Sequence, residues 1–401
     1  MNIYIFEDQK SLNFEPISLT RPVFDIRIGS ETFLERIQSL FPDSDINLFV
    51  RKELEDLTKN MYPNFEVNPE SVNEGLWLLG NVIWEPDNLS HLTKGNYIYY
   101  SKDNFVAANL TSNQGKQWLK NGGPTHTIPE AENKNNIEVR YCEFLWEIIE
   151  NIPNTISYES TFFKNSKSNL KDFSQLRIDT ENIFAKKCSI QKSVFFDTSK
   201  GPILIENGAE INGPSYLQGP LYLGSNTIVE PLTKIKNSVI GPLCKIGGEI
   251  DTVIIQSNTN KVHEGHLGDA FLGEWVNLGA GTINSNLKNN YESVKVHINY
   301  QSVDTGKIHV GCFIGDHVKT AIGTLINSGT VIGPGTMIAT DGFFPKTIKP
   351  FTWFVKGKHH KVDFEKFIKT AEIVKNRRGQ KLLDIEKQLL KKIKINCKSK
   401  K

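Results

Sequence analysis

The sequence predicts an α/β domain, then a parallel β-helix of hexapeptide repeats, then a helical tail. Three observations in the 401-residue chain carry that prediction. Ile205, Ile211, Leu217, Leu223, Val229 and Ile235 recur at every sixth position, and Ile308, Ile314, Thr320, Ile326, Ile332 and Ile338 repeat the pattern downstream. Before residue 150, short apolar runs alternate with a helical pattern, and after residue 340 the six-residue register gives way to a charged amphipathic stretch. A helix spaces its apolar residues three or four apart and a half-buried strand alternates them, so period six fits neither. It fits a prism of stacked coils in which each short strand sends one side chain inward.

The first unit, residues 1–152, opens with a buried strand, Asn2 to Phe6, and Glu7-Asp8 at its carboxyl end. Thr32 to Phe41 reads as an amphipathic helix with Phe33, Leu34, Ile37 and Leu40 inward. Ile46 to Val50, Leu76 to Leu79, Tyr97 to Tyr100 and Phe105 to Ala108 read as further strands. Strands and helices in alternation predict a three-layer α/β domain with its ligand at the strand carboxyl ends. Tyr141 to Ile152 reads as a helix that Pro153 stops, and residues 153–177 as a polar connector. The β-helix is expected over 178–340. Its register is interrupted between Ile246 and Ile308, where a repeat protein would extrude functional loops. The tail, 341–401, carries a helical pattern from Asp363 to Leu390, with Asp363 as N-cap and a break near Gly379. It is expected to cover the open end of the stack, and residues 391–401 to fray.

Composition narrows the partners. A formal net charge of +2 gives no sign of a nucleic-acid or membrane-surface partner. The opening MNIYIFEDQK lacks a signal-peptide layout, and no apolar run reaches the length of a bilayer span. The five cysteines are odd in number and widely spread, as expected of reduced thiols in a cytoplasmic protein.

The chemistry-bearing residues cluster inside the interruption: Lys261-Val-His263-Glu-Gly-His266-Leu-Gly-Asp-Ala270, then Val276-Asn277-Leu-Gly-Ala-Gly-Thr282, then Asn286. This segment resembles the acetyltransferase core of the bifunctional bacterial enzymes that make UDP-N-acetylglucosamine, the GlmU type. The resemblance implies that the β-helix is left-handed, and that it acetylates glucosamine 1-phosphate by direct attack on acetyl-coenzyme A. A gapless match puts His263 on the catalytic histidine, His266 on a tyrosine of the family, and Asn277 and Asn286 on two ligand-binding asparagines. The chemistry agrees, because a neutral imidazole accepts an amine proton near pH 7. Asparagine side chains both donate and accept, which suits sugar hydroxyls. Gly279 and Gly281 would let the backbone approach a ligand closely. Lys319, Thr320 and Ala321 suit contacts with coenzyme A. The basic residues that hold the sugar phosphate in the family have no counterpart from Ile246 to Gln256, which leaves Lys245 or Lys261 for that role.

The first unit carries Leu19-Thr20-Arg21-Pro22-Val-Phe-Asp25-Ile-Arg27-Ile-Gly29. This arrangement resembles a divergent, shortened nucleotidyltransferase-like domain found fused to the same β-helix. It implies uridylyl transfer from UTP to N-acetylglucosamine 1-phosphate, with Arg21 and Arg27 embracing phosphates. Asp25 could equally pair with one of these arginines. The reaction needs magnesium. Asn81 stands where the family has a metal-binding aspartate, and Asp8 and Asp103 are alternatives, so the metal ligands are open. Homotrimers are implied by the family. The rival readings are a hydratase with a metal held by histidines such as His263, His309 and His317, and a non-catalytic sugar-nucleotide-binding or scaffold protein.

Overall fold

The computed structural model describes residues 1–92, 96–163 and 180–399. In chain order the first unit is built of β1 (Asn2–Phe6), α1 (Phe33–Leu40), β2 (Asp45–Phe49), α2 (Glu55–Met61), β3 (Glu66–Val67), β4 (Gly75–Leu79), β5 (Val82–Ile83), α3 (Pro86–Ser90), β6 (Tyr97–Ser101), β7 (Asn104–Leu110), α4 (Ser112–Lys120), β8 (Asn133–Asn136), β9 (Arg140–Tyr141), α5 (Leu145–Glu150) and α6 (Ile152–Phe163). Its seven-stranded sheet runs β3-β2-β1-β4-β7-β6-β8. β3, β2, β1 and β4 are parallel, and β7 runs antiparallel to β4 and β6. The helix at Thr32 starts on a capping box, Thr32 accepting from Glu35 N while Glu35 accepts from Thr32 N. Pro153 does not end a helix. It occupies the first turn of α6, where a missing N–H costs nothing, so residues 153–163 are helical rather than a polar connector. The rest of the expected connector, 164–177, lies outside the described residues.

From Ile183 onward short parallel strands stack in three faces. One face runs through Ile190, Ile211, Val229, Ile246 and Lys261 in register. A second joins Leu217, Ile235, Ile250 and Leu267. The third joins Ile205, Leu223, Ile240, Ile255, Leu272, Ile314 and Ile332. Each corner carries residues with a left-handed backbone: Asn237, Thr252 and Asp269 at one, Leu243, Asn258, Trp275 and His317 at the next, and Gly248, Gly265, Gly281 and Gly323 at the last. Left-handed backbone costs a side chain a steric penalty that glycine avoids. The corners therefore repeat in conformation even where they differ in sequence.

Two expectations about the register change. Between Ile246 and Asn284 the coils continue with shortened strides, and the period looked broken because Lys261 and Asn284 occupy inward positions. The true excursion lies after Asn286, where Lys295–Ile298 and Gln301–Asp304 form an antiparallel hairpin. Ile308 ends that excursion and is 44% exposed, so it is not part of the core row. The stack also runs past 340, since Thr347–Ile348 and Thr352–Val355 pair in parallel with the preceding coil.

The third face is apolar outward as well as inward. Leu204, Tyr222, Val239, Ile254, Phe271, Phe313 and Val331 form an outward ladder that shares one buried cluster with the first unit. Trp146 of α5 meets Phe313 at 5.9 Å. The tail does not simply cap the end of the stack. The antiparallel strand Lys358–Lys361 closes that edge with four exposed polar residues. α7 (Phe364–Asn376), capped by Asp363, runs back along the prism, and α8 (Asp384–Ser399) brings Leu389 and Ile393 to the first unit. Helix therefore continues to Ser399, into the stretch expected to fray. Among the described residues, no helix is long and apolar enough to cross a membrane.

Candidate functional site

The polar residues singled out in the sequence fall on successive coils, on different faces. His266 starts one strand and Asn286 follows the strand Ile283–Asn284 on the next coil. Both converge on Gly268: a Cβ there would lie 2.5 Å from His266 Nε2 and 2.9 Å from Asn286 Nδ2. Asn286 Nδ2 donates to Asp269 Oδ2 at 2.5 Å. Burial raises the Asp269 carboxyl, the Asn286 amide, His309 and His266 oppose that, and Asp251 adds to it. Asn284 fixes the coil beneath, accepting from Gly268 N at 2.7 Å and donating to Gly268 O at 2.8 Å. Beside this group lies a pocket of about 370 Å³ that Asp269, His309 and Trp146 help to line. Sequence reasoning missed Asp269 and His309 as neighbours. Asp269 was legible as part of the Gly-Asp-Ala match, whereas His309 arrives from the far end of the excursion.

His263 lies on the exposed turn before this strand. Its carbonyl accepts from Lys261 Nζ at 2.6 Å. Lys261 is the inward residue of its coil, 2% exposed, and its ammonium also donates to Gly247 O at 2.9 Å. Burial lowers it to about 8, with Glu264 opposing. It therefore does not present a cation to a phosphate outside the prism, which corrects the role expected of it. Thr320 is inward too. Its hydroxyl accepts from Gly279 N at 3.0 Å and shares a bond with Thr282 Oγ1 at 2.9 Å, so its side chain is spent within the stack. Gly279 admits the neighbouring coil rather than a ligand, since a Cβ there would lie 2.5 Å from Ala321 C. Ala321 continues the inter-coil bonding, donating to Ile338 O at 2.8 Å.

Asn277 and Lys319 belong to another face. Lys245, Asn260, Asn277 and Lys319 stand on consecutive rungs of one face and line a pocket of about 340 Å³. The structure does not bring Asn277 onto the His266–Asn286 group.

In the first unit the arginine motif is a junction. Arg21 is 3% exposed and bonds Asp25 at 3.0 Å, Asp316 at 2.8 Å and Glu274 at 3.4 Å. Those carboxylates outweigh the burial that disfavours its charge. Thr20 Oγ1 donates to Asp316 Oδ2 at 2.7 Å. Arg27 N donates to Gln256 Oε1 at 3.0 Å and Arg27 Nε to Gln256 O at 3.1 Å, while Gln256 Nε2 donates to Asp25 O at 2.7 Å. Gly29 sits against Glu159 of α6. The expected phosphate clamp is thus a buried seam between the two units, because its guanidiniums already hold β-helix partners.

A pocket of about 740 Å³ opens instead beyond the carboxyl ends of β1, β2 and β3. Phe49, Arg51, Asn68 and His126 contribute from the first unit, and Leu389 and Ile393 from α8. Glu15, Glu53, Glu55 and Glu70 are among its lining residues, whereas the acidic residues at the end of β1 are engaged elsewhere. Glu7 is held by Val23 N at 2.6 Å and Arg51 Nε at 3.2 Å, and Asp8 accepts from Lys10 N at 2.9 Å. Burial lifts Asp8 to about 6, despite Lys10. Asn81 is buried and donates to Cys142 O at 2.6 Å, and Asp103 is exposed on the turn between β6 and β7. Among the described residues, no three His, Cys, Asp or Glu side chains gather to hold a metal. His317, a histidine of the metal reading, is instead buried between Trp275 and Phe367, and burial pushes it down to about 3.

A sheet domain with a pocket at its strand carboxyl ends, docked on a parallel β-helix with a polar group on its flank, defines the class of molecule. The comparisons agree with that division. Residues 3–168 match a family model described as sugar nucleotidyl transferase. The chain is similar to the bifunctional sugar-1-phosphate nucleotidylyltransferase/acetyltransferase of Sulfurisphaera tokodaii, 32% identical over 35% of this chain and 38% of that protein. It is similar to the bifunctional protein GlmU of Wolbachia pipientis, 31% identical over 52% of this chain and 48% of the relative. The GlmU of Methanococcus vannielii is 25% identical over 85% of this chain and 94% of its own length. The chain spans less than half the length of the first two.

Proposed function

We propose that the β-helix transfers an acetyl group from acetyl-coenzyme A to the amine of glucosamine 1-phosphate or a closely related amino-sugar phosphate. The observation that carries this reading is the meeting of His266 and Asn286 over Gly268, beside Asp269 and next to an open pocket. In this reading the amine attacks the thioester carbonyl, a C–N bond forms, and the C–S bond breaks to release coenzyme A. His263 takes the amine proton. His266 and Asn286 orient the sugar, and the Asp269 carboxylate fixes the Asn286 amide so that its oxygen faces outward. Asn277 and Lys319 meet coenzyme A on the neighbouring face. The names of the relatives support the reaction class. Left-handed winding, a homotrimer and cytoplasmic residence belong to the same reading, as does a β-helix that begins near 178.

Uridylyl transfer from UTP to N-acetylglucosamine 1-phosphate is the second activity of this reading, supported by the family match over residues 3–168. The pocket beyond β1 and β2 is its place in the fold. Glu7, Asp8 and Asn81 are each engaged within the protein and offer magnesium no ready cradle. That same observation favours a first unit that binds a sugar nucleotide without turning it over.

The test is direct. Wild type and His263→Ala are incubated with acetyl-coenzyme A and glucosamine 1-phosphate, and thiol release is followed. Loss of a general base lowers kcat by about 10²–10⁴-fold. Full turnover in His263→Ala removes the assignment of the base, and no turnover in the wild type removes the reaction.

A further inference from the structure

The pocket beyond β1, β2 and β3 is not built by the first unit alone. The hairpin of the excursion, Lys295–Ile298 paired with Gln301–Asp304, turns at Asn299-Tyr300, and both turn residues line that pocket. The hairpin is fixed along its length. Val296 and Ile298 are buried in the cluster shared with the first unit, Lys307 at its base pairs with Glu150 of α5, and Asn299 Nδ2 donates to Asn13 Oδ1 at 3.4 Å. Both turn residues have a left-handed backbone, with φ 45° at Asn299 and 62° at Tyr300. A two-residue turn of that kind favours Asn-Gly. Asparagine adopts the conformation readily, whereas a tyrosine carries a steric penalty that glycine avoids. Tyr300 is nevertheless 59% exposed, so burial of its ring does little to offset the penalty. An aromatic residue held on strained backbone at the lip of a pocket points to a ligand. The rest of the lining indicates which part of a ligand belongs beside it. Glu15, Glu53, Glu55 and Glu70 stand there against Arg51, Lys52 and Lys392, and Arg51 is paired with Glu7. That balance disfavours a phosphate and suits an uncharged, planar group.

We propose that Tyr300, supplied by the β-helix hairpin, stacks on the nucleobase of a nucleotide held in the pocket of the first unit. The inference rests on the nucleotide reading of that pocket and adds a residue that the first unit lacks. A tyrosine ring presents a flat apolar face to a base, and stacking of this kind tolerates any base while requiring that one be present. Tyr300 therefore discriminates a nucleotide from a bare sugar phosphate rather than one nucleotide from another. The pocket, about 740 Å³, lies within the size range of sites for such ligands. Because the hairpin belongs to the β-helix, the ring reaches the pocket only when the two units are docked.

The experiment is titration calorimetry of the full chain with UTP and with UDP-N-acetylglucosamine, for wild type, Tyr300→Gly and Tyr300→Phe, together with thermal melts of each protein without ligand. Glycine suits the left-handed position, so Tyr300→Gly should melt at or above the wild-type temperature. Its affinity for each ligand that the wild type binds should fall about 5- to 100-fold, the usual contribution of one stacked base. Tyr300→Phe keeps the ring and should keep the affinity. A tyrosine with only a structural role cannot make stability and affinity part in this way. Equal affinity in wild type and Tyr300→Gly overturns the proposal. So does a Tyr300→Phe that binds as weakly as Tyr300→Gly, or a Tyr300→Gly that loses affinity only together with melting temperature. If the wild type binds neither ligand, the nucleotide reading of the first unit falls and the stacking role falls with it. Wild-type binding that Tyr300→Gly leaves unchanged keeps that reading and removes only this one.

Discussion

Lys261 shows how one residue can hide a regular pattern. It takes the inward position that Ile246 holds on the coil before, and its ammonium reaches Gly247 O and His263 O. Burial lowers it to about 8, so between that value and the ordinary lysine range the unfolded chain binds the extra proton. Stability must then rise with pH across that window, as the penalty of a buried charge is relieved. Lys261→Met lacks the titration. The variant's stability relative to wild type is expected to decline by about 1–3 kcal/mol between pH 8 and pH 10, read from denaturant midpoints. A pH-independent difference would mean that the lysine keeps its charge throughout. The cysteines are quieter. Cys244 and Cys312 are buried among core residues, and burial pushes both thiols up to about 12, far from a nucleophile's state.

At the scale of elements, the third face of the prism is the most constrained. Its strands read as apolar triplets, Ile203-Leu204-Ile205, Val253-Ile254-Ile255 and Cys312-Phe313-Ile314, because both sides are buried. The middle residue of each triplet faces the first unit rather than the prism core. That signal was present in the sequence but masked by the stronger period of six. Phe313→Ala removes a fully buried ring at the contact with Trp146, and is expected to cost about 3–5 kcal/mol by thermal or chemical denaturation. A loss below about 1 kcal/mol would show that the ladder is not packed against α5. The first row of inward hexads, by contrast, was legible: Ile205, Ile211, Leu217, Leu223, Val229 and Ile235 are all 0–1% exposed.

For the molecule as a whole, the arginine motif decides how the units dock. Arg21→Gln leaves Asp25 and Asp316 buried against a neutral partner. Breaking such a pair typically costs about 3–5 kcal/mol. Adding Asp316→Asn should restore part of it, since the stranded charge is then gone. If Arg21→Gln unfolds like the wild type and loses only nucleotide affinity, the arginine is a ligand residue after all. Burial raises Asp25 to about 6, with Arg21 and Tyr62 opposing. The seam therefore holds carboxylates whose charge state matters to docking. The tail binds the units a second time. α7 lies on the prism and α8 reaches the pocket beyond β1 and β2, so one chain end touches both candidate sites.

The sequence by itself determined the hexapeptide stack, the strands read at Asn2–Phe6, Ile46–Val50 and Leu76–Leu79, the amphipathic helix from Thr32, the helix capped by Asp363, and the coil that carries His263 and His266. These depend on local periodicity and capping, which a single strand or turn reports about itself. Only the tertiary structure decided which faces those residues occupy. Lys261 and Thr320 point inward, Arg21 and Arg27 are held by the other unit, and Asn277 sits a face away from Asn286. Each of these outcomes depends on a partner distant in the chain: Asp316 for Arg21, Gln256 for Arg27, Gly279 for Thr320. A side chain's chemistry can be read from its type, but whether it is free to act depends on neighbours that folding brings to it.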